Sequence, residues 1–412
     1  MTLIFLEQFF KKRKALYLIL LLSFLMFFKG LFVFFVQDDF FLLKISSIHS
    51  SLDFFRLFIP LMEVPWYRPL SSQVFFGLGQ LIFGYNPMFF HIITFFTQGA
   101  VIVFLFKLIQ RVTNRALLAF VSVYIYGIHA VHLVSLSWLA AYSFVLGPLT
   151  TVAVFFLYTQ KRYGWALLVF IAGLLTTELQ IILPVGLLAY HFFRREKIKI
   201  FPLTIFILVS GCFFYIRFVA FQIDTQTNLY QLGISNTIAT TKFYILQLLG
   251  FPMLVTHMPI YFLIPTVLSG FSFLMILGIG FLQFFKTIQN HPWWIYFFGF
   301  IGFLYVTPFL FLPNHIAPHY LSFALIGISV ILAYLIELAT NHFFARFKTV
   351  FVLYSFFILQ YFNILWTYQT HWIFRRAHSA QILVEKQQLD FPVGSEEYFS
   401  LGANAASFVF KQ

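Results

Sequence analysis

Long apolar runs separated by short polar clusters dominate this chain, and their spacing sets the first expectations. A helix needs about 20 apolar residues to cross the hydrocarbon core of a bilayer. Runs of that order lie near 15–36, 88–107, 115–129, 136–158, 164–177, 179–193, 200–221, 264–285, 293–312, 318–339 and 349–369, so the pattern predicts eleven crossings. The runs near 115–129, 164–177 and 179–193 are short, and their limits are the least sharply drawn.

Two connecting segments are too long for plain turns. Residues 37–87 open with "DDFFLLKISSIHSSLDFFRLFIPL", which mixes apolar and polar positions at near-helical spacing. That pattern predicts pieces lying along the membrane surface. Residues 222–263 are apolar toward their end but interrupted by Pro252 and Pro259, with Pro265 just beyond. They read as an interfacial or re-entrant piece, with a twelfth crossing near 243–262 as the alternative. The tail, 370–412, is polar and too short for a separate domain. The predicted organisation is one transmembrane unit over 1–369 followed by that tail.

Composition fixes the class. The chain is 61% hydrophobic and 9% charged, against about 25% charged in soluble domains, so much of its surface faces lipid. The fold class is an all-α polytopic membrane protein. Lipid contact alone accounts for the 63 Phe residues, which therefore imply no binding role. Cys212 is the only cysteine, so no internal disulfide forms, and there is no N-x-S/T, CxxC, HExxH or Walker-type motif. The N-terminal "MTLIFLEQFFKKRKALYLILLLSFLMFF" is basic and then apolar, without a small-residue cleavage site, and reads as a retained first helix.

The formal charge of +13 could suggest nucleic acid, but its distribution argues otherwise. With the N-terminus cytoplasmic, the inner loops collect Lys11, Lys12, Arg13, Lys14, Lys107, Arg111, Arg115, Lys161, Arg162, Arg194, Arg195, Lys197, Lys199, Lys286, Arg346 and Lys348. That is the positive-inside pattern, not one basic face, so no nucleic-acid partner is expected. The acids do the reverse: Asp38, Asp39, Asp53, Glu63, Glu178, Asp224, Glu385, Asp390, Glu396 and Glu397 fall outside or at outer helix ends. Acids contribute little to orientation, so their asymmetry calls for a functional reason.

The adjacent pair Asp38 and Asp39 is the first candidate site. Like charges and apolar surroundings both raise a carboxyl pKa, and a carboxylate so placed can take a proton from a hydroxyl. The plainer alternative is a solvated end to the first helix. Lys44 and Arg68 share the same loop, and the planar guanidinium of arginine suits phosphate; lipid headgroups are the alternative partner. Glu63, His91, His129, His132, Glu178, His315 and His319 are further candidates for one outer pocket. A structural or hydrogen-bonding role for the histidines is preferred over metal ligation, and a divalent cation is left open.

Several stretches together resemble a known superfamily. "FVFFVQDDF" is similar to the first-loop acidic motif of GT-C membrane glycosyltransferases. "WYRPLSSQVFFGLGQLIFGYNPMFFHIITFF" resembles a run found in its protein O-mannosyltransferase-like members. "HAVHLVSLSWLAAYSFVLG", "TTELQIILPVGLLAY" and "HYLSFALIGISVILAYL" resemble later segments in the same order, so the likeness covers most of 30–340. It implies a GT-C-like bundle and inverting hexosyl transfer from a polyprenyl-phosphate sugar to a protein, lipid or glycan acceptor at the outer membrane face. It carries the base to Asp38 or Asp39, the family arginine to Arg68 and the family histidine to His91. The chain departs from the pattern at Thr94, at Ala141 and Tyr142, at Thr177, and at Pro318 and His319, which implies a different acceptor or sugar.

Competing classes are a transporter or flippase for a lipid-linked saccharide, a glycan polymerase or ligase, and an inactive scaffold. Transporters place ionisable groups near the midplane and often carry internal repeats. Here the charges gather at outer ends, which favours the enzyme. The absence of sequons and the modest length point toward a prokaryotic plasma membrane.

Overall fold

The computed structural model describes residues 14–60, 66–197, 199–220, 233, 236–253, 257–287, 290–312, 314–340, 345–386 and 393–401. Glu63, Asp224, Asp390 and the basic residues Lys11, Lys12 and Arg13 lie outside the described residues. All regular structure among the described residues is helical. Seven helices are long and apolar enough to cross a bilayer: Lys14–Phe32, Pro87–Thr113, Leu139–Thr159, Ile200–Val219, Ile260–Lys286, Trp293–Leu310 and Lys348–Thr370. The chain is a multi-pass all-α membrane protein. The other four expected crossings are helices as well, Ala116–Ile128, Tyr163–Leu174, Leu183–Arg194 and Ala324–Thr340. Each falls short of the roughly 20 residues that a crossing takes.

Breaks near the helix ends are where the structure departs most from the apolar pattern. The first span is α-helical to Phe27, tightens to 3₁₀ over Phe28–Phe32, and then runs extended through Val33. The apolar run at 136–158 is not one helix. Helix His132–Ser137, an extended Trp138 and a short 3₁₀ turn at Leu139–Ala141 precede Ser143–Thr159. The run at 318–339 likewise begins as a 3₁₀ turn, Pro318–Ser322. Pieces of 37–87 form short helices Asp38–Ile45, Ser51–Arg56 and Gln73–Phe83, the first two within the stretch of near-helical spacing. Ser51–Arg56 carries a reciprocal capping box between Ser50 and Asp53, which satisfies donors that the first turn cannot. From 222–263, a helix at Thr237–Leu248 is too short to cross.

Close helix packing relies on small residues, because lipid gives no hydrophobic drive between helices. Trp293–Leu310 crosses Ala324–Thr340 at Gly302 and Gly327, where a Cβ on Gly327 would collide with the Phe298 carbonyl oxygen. Polar side chains add directional links. Buried Gln180 donates through Nε2 to the Gly147 carbonyl at 3.0 Å and to the Thr150 and Thr151 hydroxyls at 2.9 and 2.8 Å. Outward faces stay apolar, with Phe96 and Phe201 both 77% exposed, as lipid contact requires.

The tail is not a loose appendage. Residues 372–386 form a helix, Trp372–Lys386, that follows the last long helix after one residue. His371, Trp372 and Ile373 line the main cavity, so a division at 369 cuts through the site.

Candidate functional site

A cavity of about 490 Å³ opens at the end of the bundle where the broken helix ends meet, within the usual range for ligand sites. Its walls come from the first-loop helix, from 66–72, from 130–144, from 315–320 and from 363–373. Asp38, Arg68, His315 and His319 all face it, so four sequence candidates from three distant segments converge.

The two aspartates part company. Asp38 begins helix Asp38–Ile45, half-buried at the cavity wall, and no hydrogen bond to its carboxyl is found among the described residues. Burial pushes this carboxyl above its ordinary range, and the Arg376 charge pulls partly against that. Asp39 points the other way and is 1% exposed. Its Oδ2 accepts from the Val36 N–H at 3.0 Å and its Oδ1 from the Ala140 N–H at 2.7 Å. Asp39 thus ties the end of the first span to the 138–141 turn. Both oxygens already serve the backbone, and Asp38 is the member of the pair that faces the cavity.

Asp38 is aimed by its neighbour. Gln37 holds φ 45° and ψ −105°, a conformation outside the left-handed helical well that costs about 1–3 kcal/mol unless the surroundings enforce it. Arg376 holds the Gln37 side chain, with Nη1 donating to Gln37 Oε1 at 2.7 Å. The Arg376 guanidinium in turn lies 4.8 Å over the Trp372 ring.

Arg68 is also held. Its Nε donates to Glu178 Oε2 at 2.6 Å, while the Tyr67 N–H donates to Glu178 Oε1 at 3.0 Å. Burial pushes the Glu178 carboxyl up, but the charge and hydrogen bonds of Arg68 outweigh it, so the carboxyl titrates below its ordinary value and stays ionised. Arg217 approaches the same carboxylate at 3.6 Å. Two guanidinium groups on one carboxylate leave this wall positive. Glu178 itself supports the site from behind and does not line the cavity.

The remaining candidates fall elsewhere. Lys44 forms an ion pair with Glu396 and lies off the cavity, so it is not brought together with Arg68. His91 is fully buried between the Val33 and Leu136 carbonyls, each 3.0 Å from a ring nitrogen. It pins the segment leading to Asp38 against helix His132–Ser137. His129 contacts the Leu248 carbonyl through Nε2 at 3.1 Å and accepts from the Val131 N–H. His132 lies buried against the Tyr126 ring, 4.6 Å between centroids. All three lie off the cavity, while their neighbours Ala130 and Val134 face it.

His319, on the cavity wall, packs edge-on against the Phe144 ring with centroids 4.9 Å apart. His371 shares that wall, and burial pushes its ring down to about 4, so it is neutral near pH 7. Among the described residues, no group of three or more His, Cys, Asp or Glu side chains is arranged to hold a metal ion.

Apolar periodicity does not single out His371, Arg376 or the tryptophans Trp66, Trp138, Trp366 and Trp372, all four of which line the cavity. A signal for some of them is present in "NILWTYQTHW". Asn363, Trp366, Thr367 and Thr370 stand at i, i+3, i+4 and i+7, one face of a helix. That is a polar stripe within a span, and polar residues in a membrane span are functional candidates by default. No family model, curated protein or solved structure matches this chain, and the chemistry of the site rests on its own geometry.

Proposed function

We propose that this chain is a membrane glycosyltransferase of GT-C type, with about eleven crossings, that moves a hexose from a polyprenyl-phosphate donor to an acceptor hydroxyl with inversion. The observation that carries this reading is one cavity at a bundle end holding the Asp38 carboxylate and the Arg68 guanidinium together. In the proposed step, Asp38 takes the acceptor O–H proton as the acceptor oxygen bonds to the anomeric carbon. The bond from that carbon to the phosphate oxygen breaks, and its electron pair leaves with polyprenyl phosphate. Arg68, oriented by Glu178, meets the charge that develops on that oxygen. Aligned donors of this kind cost no reorganisation during the reaction. A carboxyl raised by burial is a stronger base once ionised, which suits proton removal near neutral pH.

A lipid-linked donor presents its phosphate at membrane-surface depth, and the cavity sits where spans end. Arg115, Arg194 and Lys286 flank the opposite end of the helices, which supports a site on the outer face of the membrane. The second reading is a glycan polymerase or ligase, favoured by the histidines that share the cavity with Arg68. Such an enzyme would not depend on Asp38.

The test is transfer from labelled polyprenyl-phosphate hexoses in reconstituted vesicles, comparing wild type, Asp38→Asn and Arg68→Ala. Loss of transfer in both folded variants is expected. Transfer that survives Asp38→Asn would remove Asp38 as base and favour the ligase reading. No transfer from any donor in the wild type would turn the assignment toward a saccharide transporter or an inactive scaffold.

A further inference from the structure

The charged groups account for only part of the cavity. The rest is neutral and of two kinds, broad indole faces and uncharged hydrogen-bonding groups. Four of the seven tryptophans of the chain line this one space. Trp138 and Trp372 meet at 75° with ring centroids 5.6 Å apart, which makes a corner of two aromatic walls. Trp372 keeps 38% of its surface exposed, and its ring is steadied by Arg376. The indole N–H of Trp138 finds no hydrogen-bond partner among the described residues, and an unmatched buried donor carries a free-energy cost.

Opposite chemistry lies along one helix face. Asn363 donates through Nδ2 to the Gly250 carbonyl at 2.8 Å and accepts from the Thr367 hydroxyl at 3.1 Å. Thr370 Oγ1 donates to the Trp366 carbonyl at 2.9 Å. These bonds fix the rotamers while leaving hydroxyl lone pairs to accept from a ligand. Together the walls ask for a ligand without charge at this place, rich in hydroxyls and possessing an apolar C–H face. Indole rings present a negative face to such C–H groups. A peptide acceptor fits less well: this stretch of wall is helical, and it offers no sheet edge for a main chain to pair with.

Resting on the glycosyltransferase reading above, we propose that the Trp138–Trp372 corner and the stripe from Asn363 to Thr370 form a pyranose-binding subsite of the cavity. The occupant is either the acceptor, itself a saccharide, or the sugar of the donor, and the chemistry of recognition is the same for both.

The experiment uses the purified full chain in nanodiscs and needs no transfer reaction. Methyl glycosides of mannose, glucose, galactose and N-acetylglucosamine are titrated by tryptophan fluorescence and calorimetry, with glycerol as the polyol control. Saturable binding of at least one glycoside is expected, with glycerol inert. Trp372→Ala should weaken it at least tenfold, and Thr370→Val, which keeps shape and loses only the hydroxyl, by about threefold. Arg115→Ala, off the cavity, should bind as the wild type does. Failure of every glycoside, equal response to glycerol, or unchanged affinity in Thr370→Val together with a folded Trp372→Ala would overturn the subsite. If transfer occurs but glycosides do not bind, the subsite fails and the enzyme reading stands. Binding without transfer from any donor keeps the subsite and removes the enzyme reading. Where both hold, a Thr370→Val effect on KM for the acceptor or for the donor identifies which sugar occupies the corner.

Discussion

At the end of the bundle away from the cavity, several polar groups are matched to one another. Arg115 pairs with Glu337, Arg194 lies 3.1 Å from Glu196, and the Tyr158 hydroxyl meets His191 at 2.9 Å. His291 contacts both the Tyr334 hydroxyl and the Phe284 carbonyl, at 3.0 and 2.8 Å. At the cavity end the pattern changes. The Asp38 carboxyl accepts no hydrogen bond from the described residues, and Trp138 Nε1 and His319 Nδ1 have no partner among them. Buried polar groups are normally satisfied. His191 Nδ1 at the far end is also unmatched among the described residues, but the orphaned groups at the cavity end sit on the wall of an open space, where an entering ligand can pair with them.

The largest break in that contrast is expected at Asp38. Asp38→Asn keeps the shape of the side chain and removes its capacity to take a proton. A positioned base contributes roughly 10²–10⁴-fold to rate, so transfer should fall by that order while the thermal transition in nanodiscs stays nearly unchanged. Asp39 should give the opposite signature. The native carboxyl accepts through both oxygens, whereas the amide of Asp39→Asn has one acceptor oxygen, stranding either the Val36 or the Ala140 N–H, at about 1–3 kcal/mol. A lowered melting temperature is the expected readout for Asp39→Asn. Equal destabilisation by both substitutions would dissolve the distinction between the two carboxylates.

Part of this is legible in the sequence, and the reason for the rest is physical. Helix content and the membrane class follow from apolar runs, because every backbone group in lipid must be satisfied internally. Asp38, Arg68, His315 and His319 stand out as rare polar residues near the ends of apolar runs, and all four face the cavity. What periodicity does not convey is direction at broken helix ends. Asp38 and Asp39 are neighbours in "QDDF", yet one turns to the cavity and the other to the backbone of residues 36 and 140. Lys44 reads as a phosphate ligand because it shares a loop with Arg68, but Glu396 is its partner from far along the chain. Trp138 reads as the interior of a span because the break at 138–142 falls inside an apolar run. His371, Trp372 and Arg376 group with a polar tail, since charge near a terminus resembles solvated chain until a packed partner is seen.

Arg376 offers a sharper, smaller test of how the cavity end is held. Arg376 is the charged group that bears on Asp38, by direct attraction against the effect of burial. Arg376→Ala removes the positive charge that draws the Asp38 carboxyl down, so its pKa rises further. The base works only when ionised, so the acidic limb of the rate profile should move to higher pH. Release of Gln37 from its held conformation should add a loss in kcat of about tenfold. Arg376→Lys should restore the limb more fully than the rate, because it returns charge without the planar fork. A profile that does not move in either variant would leave Arg376 with a packing role only.

The smallest effect is expected at the matched end, and it bears most directly on the comparison. Arg115 and Glu337 form an ion pair with side chains 41% and 27% exposed. Pairs so open to solvent contribute about 0–1 kcal/mol, and salt screens them further. Arg115→Ala should therefore lower the melting temperature slightly, less at high ionic strength, and leave the pH profile of transfer where it was. Glycoside affinity should also be unchanged, since neither partner lines the main cavity. If this substitution instead altered the rate or the glycoside affinity, the two ends would be coupled through the helices between them. Ala116–Ile128 and Ala324–Thr340 are the elements to examine first, because each begins or ends at one partner's side of the pair and reaches the cavity segments at its other end.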